Sequence, residues 1–140
     1  NAPRVSGLSE LKAGWSSTTA TIDNDVPGGA TDVSGFTALV FRAGVNWGDR
    51  RTSPNLPQDL TVELTDGTGA SEGVVVGVYS GALFYPPGEV NPVPKLFLNT
   101  VRIPLSAFLR VDLNDIRRVT FRFDQSNSGA LLISDLAFAK

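Results

Sequence analysis

The chain has 140 residues, a length that points to one domain able to bury roughly 70% of its unfolded surface. Its 12 basic and 14 acidic residues leave a net charge of −2, which gives no basic excess for a nucleic-acid partner. Cysteine and histidine are both absent, which excludes disulfides, thiol chemistry, the usual general base of a Ser or Cys nucleophile, and imidazole ligation of zinc.

Asn1 to Gly7 is polar, contains Pro3, and reads as a tether, so the domain itself is expected over residues 8–140. With no Met at position 1 and no basic segment leading into an apolar one, the chain is expected to be a processed or excised piece without a signal peptide of its own. No apolar run approaches the roughly 18 residues that span a membrane, and no membrane partner is expected. Leu8 to Lys12 alternates briefly, and the Thr-rich stretch after Trp15, Ser16 to Ile22, is strand-compatible. Asp23 to Gly29 reads as a loop. Trp15 itself, between Gly14 and Ser16, is expected in the core.

Val33 to Gly44 carries a strong strand with apolar residues on both faces, Phe36, Ala38 and Val40 on one and Leu39 and Phe41 on the other. Such a strand belongs in the middle of a sheet. Asn46 to Asp59 follows as a long polar connection with Pro54 and Pro57, and connections of that length tend to be functional. Leu60, Val62 and Leu64 then alternate with Thr61 and Glu63, and Asp66-Gly67-Thr68-Gly69 signals a turn. Val74, Val76 and Val78 predict the next strand, up to Tyr79. Gly81 to Lys95 is a second long irregular segment, in which four prolines between Phe84 and Lys95 oppose regular structure. Leu96 to Ile103 predicts a strand, Leu105 to Phe108 one helical turn, and Asp112 to Asp115 another short turn.

The last stretch is the most legible. Val119, Phe121 and Phe123 face one way and Thr120, Arg122 and Asp124 the other, the period-2 pattern of a half-buried strand. A polar loop, Gln125 to Gly129, leads to the apolar run Leu131 to Phe138, and the pair reads as a hairpin. Asp135 interrupts that run. A carboxylate there needs a partner such as Arg122, a metal, or an exit to solvent. No segment carries a sustained apolar stripe at helical period, so the chain is expected to be all-β, a two-sheet antiparallel sandwich.

Several phrases in order support a more specific likeness. They are Asp32 to Phe36 before a strand ending Phe41-Arg42-Ala43, Leu60 to Gly67, Thr100 to Phe108 leading to Val111-Asp112-Leu113, Val119 to Asp124, Ser128-Gly129, and Ile133 to Phe138. Together they resemble the galactose-binding-like jelly rolls, which include many carbohydrate-binding modules attached to secreted glycoside hydrolases. They are also similar to the β-sandwich that follows the catalytic domain in some secreted actinobacterial α/β-hydrolases. The likeness covers roughly Phe36 to Lys140. It implies a non-catalytic accessory module of a secreted multi-domain enzyme that binds a carbohydrate polymer beside a covalently attached catalytic domain. The alternative it implies is a structural domain that packs on a neighbouring hydrolase without binding sugar. It also implies one structural Ca²⁺, held by a last-strand carboxylate at the place of Asp135 and by a second near the domain start, Glu10 first and Asp23 or Asp25 second. This sequence has one Asp where many members carry two in a row.

The long connections supply the candidate ligand residues. Sugar rings pack their C–H faces on aromatic side chains while their hydroxyls seek polar groups. Trp47 stands with Asp49 and Arg50 in the first connection. Phe84 and Tyr85 stand in the second, and Tyr79 precedes it. If the connections meet, these residues form an aromatic floor with polar edges; otherwise they close the end of the sandwich. The carboxylate pairs Glu63 with Asp66 and Glu72 with Glu89 have no spacing that favours glycosidic acid–base chemistry, and they read as surface groups on a protein that is not an enzyme.

Overall fold

The computed structural model describes residues 11–46, 49–52, 58–83 and 98–140. Eight strands form two four-stranded antiparallel sheets. The strands are β1 (Leu11–Trp15), β2 (Thr21–Asp25), β3 (Ala38–Val45), β4 (Thr61–Asp66), β5 (Ser71–Val75), β6 (Asn99–Pro104), β7 (Ile116–Arg122) and β8 (Gly129–Ala139). One sheet has the order β1-β8-β3-β6 and the other β2-β7-β4-β5. Among the described residues the only helical elements are two 3₁₀ turns, Val76–Val78 and Leu105–Ala107.

The core follows from the alternation. Leu39, Phe41, Ala43 and Val45 of β3 share one core with Leu60, Val62 and Leu64 at and before β4 and with Val119, Phe121 and Phe123 of the β7 region beside it in the opposite sheet. β3 lies between β8 and β6, in the central position that its two apolar faces require. The two sheets meet through aromatic pairs. Trp15 stacks on Phe123 at 4.5 Å between centroids, and Phe41 meets Phe121 edge to face at 5.4 Å. Each such pair contributes about 0.5–1.5 kcal/mol beyond its burial. Gln58 and the Trp15 ring crowd against the α-carbon of Gly129, so any side chain at that position would collide with both.

Three expectations need correction. The C-terminal strands do not form a hairpin. β7 belongs to one sheet and β8 to the other, and the loop between them crosses the core edge. Trp15 Nε1 donates to the Ser126 carbonyl at 3.1 Å and fixes that crossing. Second, Asp23 to Asp25 is strand, because Asn24 turns inward and donates to the Val119 carbonyl while Asp23 and Asp25 face out. Third, the valine run after the turn stays extended only to Val75, after which a 3₁₀ turn leaves Val78 74% exposed.

Asp135 marks a β-bulge. Its φ is 55°, and the pairing of β3 with β8 shifts there, from Arg42 opposite Ser134 to Val40 opposite Ala137. Before it Leu131 and Ile133 point to the core; after it Leu136 and Phe138 do. The inward positions change from odd to even, which a regular strand cannot do. Asp is among the few residues that take left-handed backbone at modest cost.

Two carboxylates clamp β4 at its ends. Asp59 Oδ1 accepts from the amides of Leu60 at 2.8 Å and Gly77 at 2.9 Å, tying the entrance of β4 to the turn after β5. At the exit, Asp66 is buried and not the surface group its sequence suggests. Its Oδ1 accepts from the Thr68 hydroxyl and amide and from the Ala70 amide, and its Oδ2 accepts from the Asp112 amide at 2.8 Å. One carboxylate thereby joins the β4–β5 turn to the segment entering β7.

The two titrate in opposite senses. The Thr68 hydroxyl first, then the Asp112 amide, hold Asp66 below the ordinary 3.8 against its burial. Its stabilisation is present above 3.8 and is lost as pH falls through the depressed value. Burial pushes Asp59 above 3.8 despite its two amide donors, with the charge of Asp124 adding to the rise. That contribution is largest below 3.8 and lost as pH rises through the elevated value. Asp66→Asn places an amide donor among donors and is expected to lower Tm by roughly 5–10 °C at pH 7, with the gap narrowing below pH 3. Asp59→Asn keeps an acceptor and is expected to raise Tm by about 1–3 °C at pH 7, with the gain vanishing in acid. Thermal melts from pH 2.5 to 7 check both signs.

Candidate functional site

The strand alternation that fills the core also builds the outer face of the β2-β7-β4-β5 sheet. By register, Asp25, Arg118 and Thr65 form one row, Asp23, Thr120 and Glu63 the next, and Thr21, Arg122 and Thr61 a third. Asp124 follows β7 at the end of the third row. Hydrogen bonds and ion pairs join these residues into two adjacent clusters, Asp23, Asp25, Arg118 and Thr120 across β2 and β7, and Thr61, Glu63, Arg122, Asp124 and Gln125 across β4 and the end of β7. Thr120 donates to Asp23 at 2.8 Å, and Arg118 Nε to Asp25 at 3.2 Å. Arg122 bridges Glu63 at 3.0 Å and Asp124 at 3.1 Å. Thr61 and Gln125 both donate to Asp124 Oδ1.

Burial works against the Asp124 charge, but the bonds from Gln125 and Thr61 and the Arg122 charge outweigh it and hold the carboxyl below its ordinary range. It is therefore an ionised acceptor at neutral pH. Gly73 of β5, opposite Glu63, leaves the face open, since a side chain there would press on Thr61 and approach Arg122. The result is a solvent-facing array of carboxylates and guanidinium groups held in place by one another and by the buried hydroxyls of Thr61 and Thr120. The sequence shows half of it, in the outward Thr120, Arg122 and Asp124 of β7. The partners on β2 and β4 come from sheet order, which alternation alone does not encode.

The residues singled out in the connections are dispersed. Asp49 takes a two-pronged ion pair from Arg51, Nε to Oδ1 at 2.9 Å and Nη2 to Oδ2 at 2.7 Å, and the Arg51 side-chain bonds hold its carboxyl far below the ordinary range. The Arg51 guanidinium lies over the bare α-carbon of Gly14 in β1, and the Arg51 carbonyl accepts from the Ser128 hydroxyl at 3.0 Å. Arg50 is exposed. Tyr79 is 39% exposed and follows β5, at an edge of the other sheet. Asp49 and Arg51 thus stand at β1 and Tyr79 at β5. Trp47, Phe84, Tyr85 and Glu10 lie outside the described residues.

Asp135 accepts from the neighbouring Ser134 hydroxyl at 3.4 Å. Arg122, its suggested partner, belongs to the opposite sheet and holds Glu63 and Asp124. Asp23 and Asp25, also considered for calcium, lie in that opposite sheet as well. Calcium takes six to eight oxygens. Among the described residues no three acidic side chains converge as a metal site.

No family model and no curated protein matches the chain. Solved structures do. A family 11 carbohydrate-binding module from Clostridium thermocellum, in complex with a beta-1,3-1,4-mixed-linked tetrasaccharide, shares 13% identity, with 96% of this chain and 84% of that one covered at a TM-score of 0.54. A solution structure of CtCBM11 shares 14% identity, with 99% and 88% covered at a TM-score of 0.54. At such identities the likeness is one of fold, and it agrees with the sheet order: the chain is a two-sheet antiparallel β-sandwich of the jelly-roll type found in family 11 carbohydrate-binding modules.

Proposed function

We propose that the chain is a non-catalytic carbohydrate-binding module, an accessory domain of a secreted multi-domain enzyme, and that it takes its glycan on the outer face of the β2-β7-β4-β5 sheet. The observation that carries this reading is the ordered polar array across that face. A sugar hydroxyl is both donor and acceptor, and the array offers carboxylates and guanidinium groups side by side in fixed positions. Interactions held in place before binding lose little side-chain entropy on binding. The jelly-roll fold, and the tetrasaccharide named with a module of the same fold, support the ligand class.

The alternative, a domain that packs on a neighbouring hydrolase, calls for a flat apolar patch rimmed by polar groups. Among the described residues the exposed large apolar side chains are Val78, Tyr79 and Leu109, too few to make one. Trp47, Phe84 and Tyr85 are of the residue types that stack on sugar rings, and they lie outside the described residues.

Affinity electrophoresis against soluble neutral polysaccharides tests the proposal. Retardation by a β-glucan is expected, and Asp23→Ala with Arg118→Ala should abolish it while Tm moves by only about 1–2 °C, since both side chains are half exposed. No retardation on any polymer of the panel would overturn the reading. If Trp47→Ala alone abolishes binding with Tm unchanged, the site belongs to the first connection instead of the sheet face. For calcium, forming the bulge gives Asp135 a role that requires no ion. EDTA is therefore expected to leave Tm unchanged, and a fall reversed by added calcium would restore the metal.

A further inference from the structure

The opposite sheet carries a second polar surface of different character. On β3 and β6, Arg42 pairs in register with Thr100, and Val40 with Arg102, so the two arginines are diagonal neighbours on the outer face. Such neighbours lie about 7–8 Å apart between α-carbons. Both are exposed. Arg51, Arg117, Arg118 and Arg122 each hold a carboxylate. Arg42 and Arg102 hold none among the described residues. Arg42 Nη2 donates to the Leu98 carbonyl at 3.4 Å, and Arg102 Nη2 donates to the Thr37 hydroxyl and the Lys140 carbonyl, both at 3.3 Å. Those bonds engage one nitrogen of each guanidinium and brace it, leaving the Nε and Nη1 donors for another acceptor. Lys140 meets Arg102 through its carbonyl only, and its Nζ lies 5.9 Å from the centre of the Phe36 ring, away from the two guanidinium groups. The carboxylate nearest in register is Asp135, half-buried at the bulge beside Ser134, which pairs with Arg42.

We infer that Arg42 and Arg102 form a second subsite, which binds the anionic groups of an acidic polysaccharide, uronate carboxylates or sulfate esters. The inference rests on the reading of the chain as a glycan-binding module and extends it to a class of polymer. Arginine presents its donors in a planar fork that fits both anions, and two forks on adjacent strands favour a ligand with repeating charge over a single ion. The chain as a whole carries a net charge of −2, so attraction to a polyanion has to be local.

Affinity electrophoresis of the full chain in polygalacturonate, in dextran sulfate and in neutral β-glucan tests it. At least one of the two anionic polymers is expected to retard the protein, less so as salt is raised. Retardation by polygalacturonate alone would assign carboxylate, and by dextran sulfate alone sulfate. The double variant Arg42→Ala/Arg102→Ala should weaken anionic binding about tenfold or more, with Tm and neutral-glucan binding unchanged. Arg42→Lys/Arg102→Lys should recover part of it. Absence of retardation in both anionic gels, or retardation unchanged in the double alanine variant, would overturn the subsite. Loss of neutral-glucan binding in Arg118→Ala with anionic binding intact would support two separate surfaces, and failure of the neutral arm alone would count against the sheet-face site without touching this one.

Discussion

Phe41 and Phe121 meet edge to face between the sheets, and Trp15 lies flat on Phe123 beside them. These contacts set which way every other side chain points. With Phe121 and Phe123 committed to the interior, Arg118 and Arg122 must face outward, with Thr120 covered between them, and the same outward direction holds for Asp23 and Asp25 once Asn24 is drawn in to the Val119 carbonyl. The polar face is thus the complement of the aromatic core. Neither can be shifted by one position without inverting the other.

The two outer faces differ because their strands do. The β2-β7-β4-β5 sheet has charged and hydroxylated outward positions, with Asp23, Asp25, Glu63 and Asp124 bonded to Arg118 and Arg122. The other sheet carries Ala38, Ala130, Leu132 and Ala137 outward, all buried, with exposed charge at its two sides, Arg42 and Arg102 on β3 and β6 and Lys12 on β1. A module with such faces can meet a hydroxyl-rich chain on one side and an acidic one on the other, with the aromatic layer as a rigid spacer between.

Much of the fold was legible where burial enforces alternation. Leu60, Val62 and Leu64, the central position of β3, and the burial of Trp15 all follow from apolar spacing. Partner choice was not legible. The run from Ile116 to Phe138 has the local pattern of a hairpin whether its halves pair or part, and what separates them is the crossing fixed by Trp15 and Ser126, more than a hundred residues apart. The Asp-Asn-Asp of β2 looked like a loop because its composition is that of turns, yet long-range pairing with β7 overrides local preference. The candidate face was half visible for the same reason: one strand shows its outward residues, and only the sheet shows which strands lie beside it.

Asp135 first stood out as a carboxylate in the wrong place. The bulge makes it a phase shifter. Two residues separate Ile133 from Leu136, where uninterrupted alternation would allow one or three. Removal of Asp135 alone would leave one residue between Ile133 and Leu136 and restore regular alternation with Leu136 and Phe138 still inward, whereas a strand of the present length without the bulge would turn its last third inside out. The bulge therefore absorbs one extra residue in β8 and still returns the side chains beyond it to the core. A single left-handed residue sets the parity of the C-terminal edge of the core.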